Sequence, residues 1–149
     1  MQEREYRTAR LILRLSNQII RNRDNHVKEL GLTTEQADSL QFFLSRERSV
    51  IMDLKNYLGV SHQTARGIVQ RMEGKGLIRL QKSETDGRFQ CIQVTEKGKS
   101  LGRQLRINGI RTENKLLKNM EPEEQEEFYH LLEVALKNAE RAMEDEYNE

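Results

Sequence analysis

Between Ser61 and Arg71 the chain gathers Ser61, His62, Gln63, Thr64, Arg66, Gln70 and Arg71, side chains that donate and accept hydrogen bonds. Amide and guanidinium groups form paired hydrogen bonds to adenine and guanine edges, and hydroxyls reach phosphate oxygens, so this set suits contact with nucleic acid. Gln63, His62 and Arg66 are the expected base readers. Ser61 and Thr64 are expected to cap a helix and touch phosphate.

One helix must present these groups. Ala65, Ile68, Val69 and Met72 follow the i, i+3, i+4, i+7 spacing of a buried face, which leaves His62, Gln63, Arg66 and Gln70 on the opposite side and Arg71 near the stripe's edge. Ser61 opens this helix, and Gly74 and Gly76 close it. The period then changes. Leu77, Ile78 and Leu80, then Cys91, Ile92 and Val94, read as two strands joined by the polar segment Ser83 to Arg88, in which Asp86-Gly87 is a turn signal. Before the polar helix, Ile51, Leu54 and Leu58 predict a bracing helix over about 50–58, with Gly59 as the turn. Bracing helix, reading helix and basic hairpin together predict a mainly α chain built on a winged helix-turn-helix with a two-stranded wing.

At these positions the sequence resembles the MarR (multiple antibiotic resistance regulator) family. The family pattern appears here as Val60-Ser61 with Thr64, Lys75-Gly76-Leu77-Ile78, Asp86 with Arg88, and Val94-Thr95 with Lys97-Gly98. Two positions depart from it. Leu80 stands where the family usually has arginine, with Arg79 beside it as a replacement, and Gly67 interrupts the reading helix, which softens it by about 1 kcal/mol relative to alanine. The resemblance implies a homodimer joined through its terminal helices, with Arg88 at the wing tip in the DNA minor groove and Asp86 orienting it. Gln70, Arg71, Arg79 and Lys82 complete the expected DNA-binding set. It also implies a small, often anionic or phenolic effector between the dimerisation helices and the winged helix. Arg14, Arg21, Arg103 and Arg106 are candidates to attract one.

The rest of the chain fits one domain over 1–149, with a winged helix at about 34–98 and dimerisation helices at about 5–30 and 99–147. Leu11, Ile12, Leu15, Ile19 and Val27 mark the first helix, and Thr33 with Gln36 forms a capping-box pattern before a second at about 34–44. A long helix from about 96 to 120 contains Gly102 and Gly109 as possible bends. Pro122 opens the last helix, whose stripe is Phe128, Leu131, Leu132, Ala135, Leu136 and Ala139. The formal net charge of +1 conceals a strong asymmetry. Met1 to Lys28 holds seven basic against three acidic residues, Lys97 to Lys118 seven against one, and Asn119 to Glu149 two against eleven. Ser61 to Gln90 holds six against three, a modest excess that suits phosphate contacts.

Other classes find little support. The chain offers no Gly-rich phosphate loop, nucleophile elbow or triad, so no enzymatic activity and no cofactor are expected. One cysteine excludes an internal disulfide, and the separated His26, His62 and His130 make poor metal ligands. Cys91 lies away from the family's redox position near the first helix, and a buried strand thiol is expected. The absence of a signal-like start and of any long apolar run leads to the expectation of a cytoplasmic protein without a membrane partner. The rival expectation is a winged helix that binds protein instead of DNA, since the fold does not dictate the partner.

Overall fold

A computed structural model describes residues 6–82, 85, 87 and 90–147, with Asp145 and Tyr147 as backbone. The elements are α1 (Arg7–Glu29), α2 (Thr34–Leu44), α3 (Ile51–Leu58), α4 (His62–Gly74), β1 (Ile78–Lys82), β2 (Gln90–Val94), α5 (Glu96–Leu116) and α6 (Pro122–Tyr147). They form two compact units, one up to Ile110 and one from Arg111 onward, so α5 contributes to both.

The first unit is built around the apolar face of α4. Ala65, Ile68, Val69 and Met72 are buried with Leu40 and Phe43 of α2, Leu54 of α3, Ile78 of β1, Ile92 of β2, and Val27 at the end of α1. This cluster removes the core-facing aliphatic side chains of the short elements from water, the main favourable term in folding. Helix ends are set by identifiable groups. Thr33 and Gln36 close a reciprocal capping box, with Gln36 N donating to Thr33 Oγ1 (3.1 Å) and Thr33 N to Gln36 Oε1 (3.2 Å). Asp53 Oδ2 accepts from Val50 N (2.8 Å) at the start of α3, a role that went unread in the sequence. At the other end of α3, Gly59 takes the left-handed conformation (φ 65°) that lets the chain turn directly into α4.

β1 and β2 pair antiparallel with Ile78 opposite Val94, Leu80 opposite Ile92 and Lys82 opposite Gln90. Ser49 adds a bridge to Ile92, whose N donates to Ser49 O (2.8 Å), so the hairpin is anchored to the segment before α3. The expected turn residues Asp86 and Arg88 lie outside the described residues. Cys91 is half-buried instead of buried, because it occupies the strand face opposite Ile92.

α5 runs unbroken past Gly102 and Gly109. Gly102 is a packing position, since a methyl there would strike the Leu44 side chain. The helix ends at Leu116, earlier than the 120 expected, and Asn119 adopts φ 67°, a left-handed conformation that asparagine tolerates. In the second unit, Glu124 Oε2 accepts from Glu121 N (2.9 Å) and Gln125 Nε2 donates to Met120 O (3.0 Å), satisfying groups around the turn into α6. Leu116, Leu117, Phe128 and Leu132 line a groove of about 400 Å³ there. The nearby Tyr129 hydroxyl donates to Glu133 (3.0 Å), and that carboxylate holds its pKa above the ordinary phenol value. No helix among the described residues is long and apolar enough to cross a membrane.

Candidate nucleic-acid interface

Ser61 sits at the N-cap of α4 with extended backbone, and its hydroxyl oxygen accepts from Thr64 N (3.1 Å). Ser61 Oγ also lies 2.9 Å from Thr64 Oγ1, so the two hydroxyls hold each other at the open end of the helix. Because α4 buries Ala65, Ile68, Val69 and Met72, its other face is left to solvent. His62, Gln63, Thr64, Arg66, Gln70 and Arg71 are all exposed.

The wing divides its residues by strand alternation. Ile78 is buried and Leu80 half-buried on the face toward the core, and Lys82 continues that face past the core's edge. There it meets α4: His62, Arg66, Lys82, Gly87 and Gln90 line a groove of about 430 Å³ with Val50, Ile51 and Met52 at the start of α3. The groove thus unites two cations that are separate in sequence. Gln63, Gln70 and Arg71 are exposed on α4 outside this lining. Arg79 alternates to the other face of β1, so it does not substitute for a basic residue at position 80. Leu80 instead packs against the core, and its N donates to Glu73 Oε2 (3.1 Å), tying the wing to the last turn of α4.

Arg66, Arg71, Arg79 and Lys82 have no ion-pair partner among the described residues. Their charges are therefore not neutralised within the described fold, and an approaching phosphate would not have to displace an internal carboxylate. Arg71 folds back along the helix, so a methyl at Gly67 would meet its guanidinium at 3.5 Å, an ordinary van der Waals distance. Asp86 and Arg88, the expected wing-tip pair, lie outside the described residues. No group of three or more His, Cys, Asp or Glu side chains among the described residues is placed to hold a metal ion. Sequence reasoning missed Met52 and Gln90 in the groove and Glu73 behind the wing. None of the three belongs to a motif, and it is the packing of α3 and of the hairpin against α4 that brings them to the site.

Residues 30–88 match the sequence model of the MarR family. Over this stretch the chain is similar to the winged helix of that family. It is also 27% identical over 116 residues to the uncharacterised helix-turn-helix-type transcriptional regulator YfiV of Bacillus subtilis, an alignment covering 76% of this chain and 72% of YfiV. Among solved structures, a MepR variant of S. aureus superposes with a TM-score of 0.78 at 20% identity, covering 88% of this chain and 97% of that one. Another S. aureus MepR variant, bound to an oligodeoxyribonucleotide, gives 0.70 at 21% identity, covering 89% and 97%. At these identities the structural likeness establishes the fold.

The MarR-family motifs read in the sequence have visible structural work in this chain. Thr95 Oγ1 donates to Gly76 O (2.6 Å) and accepts from Gly98 N (3.1 Å). Gly98 is buried directly under the Leu77 carbonyl, where any side chain would overlap the backbone. The two glycine-containing motifs therefore lock the end of α4 and the start of α5 together across the wing's base.

Proposed function

We propose that this protein is a sequence-specific DNA-binding transcriptional regulator that acts as a homodimer on a pseudo-palindromic operator, with the occupancy of that operator set by a small, anionic effector so that it behaves as a ligand-responsive repressor. The observation that carries this reading is the α4–wing groove, where Arg66 and Lys82 line one concave surface without ion-pair partners among the described residues. The MarR-family match over 30–88 and the DNA-bound MepR relative support it.

In this mechanism α4 enters the major groove N-terminus first. Gln63, His62 and Arg66 meet base edges, Ser61 and Thr64 meet phosphate, and Lys82 grips the backbone beside the groove. Gln70 and Arg71 on the exposed surface of α4, and Arg79 on the other face of β1, serve as further phosphate contacts, and Asp86 and Arg88 engage the minor groove. Two copies place two α4 helices about one helical turn, roughly 10 bp, apart. An effector drawn by Arg14, Arg21, Arg103 or Arg106 acts only through different affinities for the DNA-competent and incompetent arrangements.

Selection of bound duplexes from random DNA tests the proposal. It should recover one inverted repeat, with affinity for that repeat falling steeply as salt rises because phosphate neutralisation releases counterions. Recovery of unrelated sequences, or salt-independent association with protein partners, would instead favour a winged helix devoted to protein contacts.

A further inference from the structure

Lys75 belongs to a sequence motif but lies behind the proposed reading surface, and its contacts suit a different task. It is the C-cap residue of α4, with its N–H directed to Arg71 O. Its ammonium spans to two oxygens on another part of the unit, Gly31 O (2.7 Å) and Gln36 Oε1 (2.7 Å). Gly31 is the left-handed residue (φ 73°) between α1 and α2, and Gln36 is only 3% exposed inside the capping box that starts α2. The Lys75 carbonyl in turn accepts from Lys97 Nζ (2.8 Å) at the start of α5. One residue thus joins the end of the reading helix to the α1–α2 turn through its side chain and to α5 through its backbone.

We infer that Lys75 is a positioning residue that fixes the angle of α4 against α1, so that a change at α1 reaches the reading surface through the Lys75–Gly31–Gln36 tie. This inference rests on the DNA-reading role proposed for α4. The chemistry favours such a joint: an ammonium on two neutral oxygens is charge-assisted and directional. No carboxylate among the described residues pairs with Lys75. Gln36 Oε1 already accepts from Thr33 N, so the same oxygen that receives Lys75 also holds the first turn of α2. Displacement of the α1–α2 turn therefore moves the anchor of α4 itself.

The test compares Lys75→Met, Lys75→Arg and Gln36→Met with the parent protein on the selected operator and on a scrambled duplex. Lys75→Met should lower the operator-to-scrambled affinity ratio by about tenfold or more while leaving scrambled-duplex affinity and its salt dependence unchanged. Lys75→Arg, which retains a donor to both oxygens, should restore most of the ratio. Gln36→Met should reproduce the loss, and it carries the same expectation if Lys75→Met does not fold. An unchanged ratio overturns the inference. So does a parallel fall on both duplexes with the salt slope reduced by about one, which would mark Lys75 as a phosphate contact.

A second measurement needs no DNA. Spin labels at Arg21→Cys on α1 and Gln70→Cys on α4, in a Cys91→Ser background diluted with unlabelled chain, should give one narrow distance that broadens or shifts in Lys75→Met. An unchanged distribution overturns the inference even if the parent protein binds no duplex, an outcome that would independently remove the proposed function.

Discussion

Two cations in one groove make different predictions because they come from different elements. Arg66 projects from the reading helix, so Arg66→Ala should cost about 1–3 kcal/mol of operator affinity and relax base preference at one operator position, measured by titration against single-base variants. Lys82 lies at the wing's edge, where the proposed binding mode puts the backbone of a bound duplex. Lys82→Ala should weaken binding nearly equally on all sequences and reduce the salt slope by about one, read from affinities at several salt concentrations. Gly67 presents another contrast within α4. Its Cβ position is free apart from the Arg71 guanidinium, so Gly67→Ala should stabilise the protein by about 1 kcal/mol in urea unfolding. The reading helix therefore bears a local softness that packing does not require.

The elements are held by caps and close approaches more than by length. α3 is only eight residues long, below what an isolated helix sustains in water, and it persists because Leu54 is buried and Asp53 and Gly59 define its ends. α5 shows how one residue type can serve opposite purposes. At Gly98 an added methyl would meet the Leu77 carbonyl, which is fixed backbone, and would lie 2.7 Å from Val94 Cγ1. Gly98→Ala should therefore lower stability by about 1–3 kcal/mol and lower the urea midpoint. At Gly109 an added methyl meets nothing within 4 Å among the described residues, so the same substitution should raise stability by up to about 1 kcal/mol. Equal effects of the two substitutions would show that the junction of α4, the wing and α5 is looser than its packing indicates.

For the whole molecule, the charge asymmetry and the exposed apolar side chains point to the proposed homodimer. Leu11 and Leu13 of α1 are each 63% exposed, and Leu136 of α6 is 60% exposed, in company with Ile20, Leu131 and Val134. Such surface on terminal helices calls for a partner, and the basic α1 and acidic α6 offer a complementary one in a second copy. Leu136→Glu should shift the sedimentation coefficient toward the monomer and weaken operator binding in proportion, because two half-sites can then no longer be held at once. A variant that stays dimeric at micromolar concentration would move the interface away from this stripe.

Local sequence determined most of the elements. The 3.6-residue stripe of α4, the Thr33–Gln36 capping box, the glycines after α1, α3 and α4, and the strand runs around Leu80 and Ile92 each encode their outcome within a few neighbouring residues, where spacing and φ preference suffice. The exposed face of α4 was legible for the same reason, since burying Ala65, Ile68, Val69 and Met72 leaves the intervening residues outside. What required the tertiary structure was everything joined across long separations: Lys82 beside Arg66, Arg79 on the opposite strand face, Glu73 holding Leu80, and Lys75 reaching Gly31 and Gln36. A motif names the residues at such a junction, but side-chain reach and strand register decide what they touch, and neither exists until the elements have packed.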